Sequence, residues 1–206
     1  MGGSPDGAHP SPARQLTGMD IVLVDDHPAV RAGLRGLIED EDGMRVSASA
    51  GTAREGFEAI ADTQPALALI DLHLPDDDGL SLCLRTRSLP APARVIIYSA
   101  FADAGLAVRA RIAGAEGVMP KATPPRVLLD ALRDGAPSAL DARALRAVGE
   151  RLDPGDLPIL GMLAHGVGAR EVEITLGLEP AWLEARRWAM LARLGPNARR
   201  HPLAAA

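Results

Sequence analysis

The chain has one cysteine, one tyrosine, two phenylalanines and two tryptophans in 206 residues, and a single lysine against 21 arginines. A lone cysteine, Cys83, excludes an internal disulfide and fits a reducing compartment. With aromatics at 2%, the core has to be packed from Leu, Val, Ile and Ala. No apolar run approaches the roughly 18 to 20 residues of a membrane span, so no membrane partner is expected. A net charge of −5 gives no overall attraction to nucleic acid or anionic lipid. Residues 1–18 lack the apolar centre of a signal peptide and are rich in Gly, Pro and Ser. They predict a disordered extension, with Met19 as a candidate start, on a cytoplasmic protein. The shortage of lysine sharpens one position. Either Lys121 is there by chance, or a compact ammonium is needed where guanidinium will not serve.

What is present alternates. "DIVLVDD", from Asp20, is an apolar run ending in acids, and "HPAVRAGLRGLIEDEDG" follows with Val30, Leu34, Leu37 and Ile38 on one helical face and Gly43 as its stop. "MRVSASA" reads as a weaker strand. "TAREGFEAIADTQ" opens with Thr52 and Glu55 at capping-box spacing. "ALALIDL", "RVIIYSA" and "AEGVMPK" are further strands, and "TPPRVLLDALRDG" offers Thr123 as N-cap with Pro124 at the first helical position. Five strands alternating with five helices predict an α/β unit, a parallel, doubly wound sheet covered on both faces. Beyond it, "DLPILGMLAHG", "AREVEITLG" and "EPAWLEARRWAMLARLG" are three short helical segments, each closed by glycine. They suit a small all-α helix-turn-helix domain. The expected boundaries are 19–136 for the first domain, 137–150 for a linker and 151–206 for the second, whose tail carries Pro196 and Pro202.

The polar residues fall at strand ends. Asp25 and Asp26 close the first strand, Asp71 the third, Ser99 the fourth and Lys121 the fifth. Any one of them alone reads as a solvated strand end. Together they converge on the edge where open parallel sheets bind ligands, outside the carboxyl ends of the strands. Three packed carboxylates repel one another and call for a cation, and all-oxygen ligation suits Mg²⁺. Such an ion would neutralise charge on an incoming phosphoryl group and hold it in line with a carboxylate nucleophile. Asp71, on the middle strand, is best placed for that role. Ser99 and Lys121 would take the remaining phosphoryl oxygens.

These residues carry a resemblance. Asp20 to about Arg133 resembles a response-regulator receiver domain, of flavodoxin-like fold. "IVLVDDHPAVRAGL" resembles the NarL/FixJ subfamily, whose output is a LuxR-type helix-turn-helix. The resemblance implies a phosphoacceptor signalling protein rather than an enzyme, with Asp71 taking phosphate from a sensor histidine kinase. It implies Asp26 as direct Mg²⁺ ligand, Asp25 assisting, and His73 contributing only its backbone carbonyl. Ser99 and Lys121 would then contact the phosphate. His27 is read as a loop residue, and Asp76 to Asp78 as a solvated loop. Two positions depart from the family: Val118 stands where it has a switch aromatic, and Pro120 directly precedes Lys121. A metal-dependent phosphatase on a similar sheet would need an extra acid/base group, and none presents itself.

Leu152 to Gly195 resembles a LuxR-type domain in its apolar frame and glycines, which argues for the fold rather than for DNA binding. Ala181 and Glu184 replace lysines that the family offers to DNA, and Arg187 interrupts the stripe from Leu183 to Met190. Residues 150–206 hold seven arginines against seven acids. Arg170, Arg186 and Arg193, with Arg199 and Arg200, are the candidate DNA contacts. A short fourth helix leaves a homodimer on DNA open. Trp182 and Trp188, six apart, cannot share one face. They read either as one core and one partly exposed residue, or as protein-docking anchors. The leading expectation is transcription regulation in a two-component system. The alternative is a phosphorylation-controlled protein-interaction module whose helical domain no longer binds DNA.

Overall fold

The computed structural model describes residues 18–136 and 140–195. Readings placed on residues 1–17, on 137–139 and on the tail from 196, including Arg199 and Arg200, lie outside them. Five parallel strands form one sheet in the order β2-β1-β3-β4-β5. They are β1 (Met19–Val24), β2 (Met44–Ala50), β3 (Leu67–Asp71), β4 (Arg94–Ser99) and β5 (Gly117–Pro120). Because side chains alternate across a strand, the apolar runs feed two cores at once. Val22, Val24, Ala68, Ile70, Val95 and Ile97 pack on one face; Ile21, Leu23, Leu67, Leu69, Ile96 and Tyr98 pack on the other. Helices α1 (Pro28–Glu39) and α5 (Pro125–Asp134) cover the second face, while α2 (Ala53–Thr63), α3 (Gly79–Thr86) and α4 (Ala104–Ala113) cover the first.

Local details differ from the expectations in three places. Helix α1 ends at Glu39, and Gly43, at φ +81°, instead turns the chain into β2. Helix α5 begins at Pro125 with Pro124 as its N-cap and no side-chain cap. Pro125 forces its predecessor into an extended backbone, so Thr123 is displaced from the cap position. Asp76 and Asp78 are structural as well as polar. Asp78 caps α3 by accepting from the Ser81 N–H at 2.8 Å. Asp76 accepts from the N–H groups of Ala53 and Arg54 at the start of α2, at 2.7 and 3.0 Å. Partial burial opposes its ionisation, but those two donors hold its carboxyl below the ordinary value. At α2 the expected cap forms, Thr52 accepting from the Glu55 N–H, while the Glu55 carboxylate reaches back to the Gly51 N–H.

The second unit contains α6 (Ala142–Gly149), a 3-10 turn (Pro154–Asp156), α7 (Leu157–Ala164), α8 (Ala169–Leu176) and α9 (Pro180–Leu194). Helix α6 lies within the stretch expected to be linker. Its Val148 is buried with Leu152, Ile159, Leu163, Leu183 and Met190. Val108 and Ile112 of α4 belong to this same cluster, while Leu106 and Ala110 of α4 belong to the sheet core. Helix α4 is therefore buried on two sides, and the helical unit is docked on it. Arg187, expected to break the apolar stripe of α9, is itself buried. Its Nε donates to the Ile112 carbonyl, in the last turn of α4, at 2.7 Å. That carbonyl is one of the groups a helix end leaves unpaired, at the negative pole of its dipole. A guanidinium there meets a need that an apolar side chain cannot.

Two outcomes follow. Cys83 is fully buried against the Ala113 carbonyl, and burial pushes its thiol up to about 12. In native protein it should be inert to a thiol-selective dye from pH 7 to 9 and react fully once urea unfolds the chain; rapid native labelling would contradict this packing. A Cβ added at Gly79 would stand well inside van der Waals contact of the Asp71 carbonyl oxygen. Gly79→Ala should therefore cost about 2 to 4 kcal/mol in urea unfolding, the range of severe local strain and overpacking, and a change below about 0.5 kcal/mol would refute the constraint.

Candidate phosphoacceptor site

The site is assembled by the carboxyl ends of β1, β3, β4 and β5. Apolar pairing carries β3 in register with both β1 and β4, so Asp71 stands in the middle of the edge, almost buried. Asp25 follows β1 and is also nearly buried, whereas Asp26 beside it is exposed. Ligand atoms of Asp25, Asp26, His27 and Asp71 all lie within 4.8 Å of one another. Lys121, just past β5, places its Nζ 2.6 Å from Asp25 Oδ2 and 2.9 Å from Asp71 Oδ2. Burial works against the ammonium, but the hydrogen bonds to the two carboxylates carry its pKa above the ordinary value. The Lys121 backbone N–H donates to the Ser99 carbonyl at 2.8 Å, which ties β5 to β4 beside the site. The Tyr98 hydroxyl donates to the Lys121 carbonyl at 3.2 Å. A three-carboxylate, oxygen-rich set of this kind fits Mg²⁺, whose hard charge prefers such donors.

Of the residues named from the sequence, Asp25, Asp26, Asp71 and Lys121 come together. Ser99 is adjacent but fully buried, and its Oγ accepts the Phe101 N–H at 3.2 Å. His73 pairs with Asp78 in a single bridge across the loop after β3, with its imidazole outside the cluster. His27, read from the sequence as a loop residue rather than a metal ligand, lies within the cluster. Its Nδ1 lies 2.5 Å from Asp26 Oδ1 and 3.5 Å from Asp25 Oδ1, and its backbone N–H donates to Asp25. The adjacency in "DDHP" was the available signal. Arg31 was missed; it reaches back from α1 to the Asp25 carbonyl at 2.5 Å, one turn from the acids. Val118, in the switch-aromatic position, is half-buried against the sheet core. Phe101 is largely exposed.

The candidate DNA contacts fare differently. Arg170 is exposed on α8. Arg186 is paired with Asp156 and, at 2.9 Å, with Asp153; Arg193 pairs with Asp153 at 2.8 Å. Hydrogen bonds that Arg186 donates to Asp156 first, and then to Asp153, raise its pKa against the opposing effect of burial. Two of the three arginines thus brace α9 on the turn before α7. Trp182 is 49% exposed, and Trp188 is half-buried. No helix among the described residues is long and apolar enough to cross a membrane.

Comparison with known proteins matches residues 21–133 to the response regulator receiver domain. The transcriptional activator protein ExaE of Pseudomonas putida is 37% identical over 116 residues, 56% of this chain and about half, 54%, of that protein. The nitrate/nitrite response regulator protein NarL of Escherichia coli K12 is 31% identical over 175 residues, 75% of this chain and 81% of NarL, so that likeness runs on into the helical unit. Among solved structures, a LuxR-family two-component response regulator from Aurantimonas aligns with a TM-score of 0.55 at 35% identity, covering 57% of this chain and 84% of that one. With residues 21–133 matched to the receiver domain and the NarL likeness running on into the helical unit, the chain belongs to the two-component response regulators of the NarL/LuxR type.

Proposed function

We propose that this response regulator is phosphorylated on Asp71 by a sensor histidine kinase in the cytoplasm and regulates transcription through its helical domain. The observation that carries the reading is the Lys121 ammonium lodged between Asp25 and Asp71 on one sheet edge. In the transfer, an Asp71 carboxylate oxygen bonds to phosphorus as the phosphorus–nitrogen bond of a donor phosphohistidine breaks, and the released imidazole takes a proton. Asp25, Asp26, Asp71 and the His73 carbonyl would hold Mg²⁺, which supplies charge neutralisation for the phosphoryl oxygens. Lys121 exchanges its contact with Asp71 for one with a phosphoryl oxygen. The Phe101 N–H occupies a lone pair of Ser99 and leaves the hydroxyl proton to donate. Since Ser99 is buried, that donation requires residues 100–103 to shift, and they lead directly into α4. The role is that of a timed signalling switch, not of an enzyme acting on a separate substrate.

Docking of α9 on α4 supports a DNA-binding output that is held back in this arrangement, with Arg187 engaged by Ile112 and with Arg186 and Arg193 paired. Arg170, Arg186 and Arg193 are the proposed phosphate contacts once α9 is released. A homodimer on DNA belongs to the same reading. The exposed indole of Trp182 favours a second one, in which the helical domain docks a protein instead.

Incubation with acetyl phosphate and Mg²⁺, read by intact mass, should add one phosphoryl group to the wild type and none to Asp71→Asn. Equal labelling of both would remove Asp71 from the role. Anisotropy of labelled random duplex DNA across a salt series should show binding that weakens with salt and strengthens on adding beryllofluoride with Mg²⁺. Absence of binding at low salt in both states would exclude DNA output and leave the Trp182 reading.

A further inference from the structure

On the opposite edge of the sheet from Asp71, the receiver and the helical unit line a half-open pocket of about 350 Å³. Its walls carry Arg87, Arg94, Arg111 and Arg187, with Glu116 as the one acidic residue. Arg94 takes up that carboxylate, donating from Nε and NH2 at 2.9 and 3.2 Å. The other three guanidinium groups have no carboxylate partner among the ion pairs of the described residues. Arg87 is steered by one bond to the Ala93 carbonyl and Arg187 by one to the Ile112 carbonyl. The Nε of Arg111 is buried with no hydrogen-bond partner. A buried donor left unpaired in this way is unfavourable, the more so when its group is charged. Burial lowers the pKa of Arg111 and of Arg187, and the charge of Arg87 depresses Arg187 further. Glu116 acts on Arg111, and Glu173 and Glu184 on Arg187, only through space, so the pocket presents four guanidinium groups against one lining carboxylate.

We propose that this interdomain pocket binds a small anion carrying two or more negative charges, a phosphate ester or a polycarboxylate. Guanidinium forks suit both groups, since each presents paired oxygens to parallel N–H donors. The volume falls in the range of small-molecule sites. Leu163, Val167 and Ala169 on the helical side provide an apolar wall for an organic body. Because Arg111 and Arg87 come from the receiver and Arg187 from α9, a bound anion bridges the two units and favours their docked arrangement. The site shares no residue with the Asp71 cluster, so the inference does not rest on the phosphorylation reading.

The test is isothermal titration of the full chain, without Mg²⁺ and at ionic strength fixed with sodium chloride, using pyrophosphate and citrate in turn. Wild type should bind at least one of them saturably at a single site, with a rise in melting temperature. Arg111→Gln and Arg87→Gln should each weaken binding tenfold or more, and Asp71→Asn should leave it unchanged. Saturation by pyrophosphate alone assigns phosphate chemistry, and by citrate alone carboxylate chemistry. Lack of saturation with both, undiminished binding in the two arginine variants, or loss of binding in Asp71→Asn would overturn the proposal. The two arginine variants sit on different elements, so a folding defect in one, seen by circular dichroism, leaves the other to decide.

Discussion

Everything at the candidate phosphoacceptor edge depends on one ammonium offsetting carboxylates that would otherwise repel. Two unit charges at 4.8 Å oppose each other by on the order of 3 kcal/mol at an effective dielectric of 20. Asp25 and Asp71 are both nearly buried, so water screens them poorly. Lys121 bonds to one oxygen of each and thereby joins the ends of β1, β3 and β5 through a single atom. The sheet would form from its apolar register without that atom. Without a cation, the close approach of the acids would go uncompensated. In a chain with no other lysine, a flexible stem with a compact charge is placed where one atom bonds to both carboxylates.

The second constraint is the pairing of α4 with two cores. Leu106 and Ala110 face the sheet, while Val108 and Ile112 face the helical unit. Residues 100–103, from which the Phe101 N–H donates to Ser99, are the direct lead into that helix. Under the proposed function, a phosphoryl group that engages the Ser99 hydroxyl would act on the element that holds the helical unit. Val118 is half-buried against the sheet core, and the connection through α4 is the route that the proposed function uses.

Much of this was legible before folding. Period-two and helical patterns located the five strands and the covering helices, because each apolar face had to be buried somewhere. The strand-end acids and Lys121 were legible because sheets seldom end in charge on several strands together. Other features depend on distance in three dimensions and leave no local trace. Asp76 lies 23 residues from Ala53, whose N–H it accepts, and Arg187 lies 75 residues from the Ile112 carbonyl. Arg187 in fact registered as a blemish in the apolar stripe of α9. Its meaning required knowing that another helix end would be presented to it. The same holds for Arg186 and Arg193, which composition counts as free positive charge and which Asp153 and Asp156 engage.

The sharing of α4 bears on how such a chain can evolve. Regulators built from independent modules can exchange outputs by recombination at a linker, since each piece keeps its own interior. Here the interior of the helical unit includes two residues contributed by the receiver. A joint cut anywhere between residues 114 and 140 would hand the output domain to a foreign receiver without those residues and without the carbonyl that Arg187 requires. The two halves have become committed to one another, and inheritance has to carry them together.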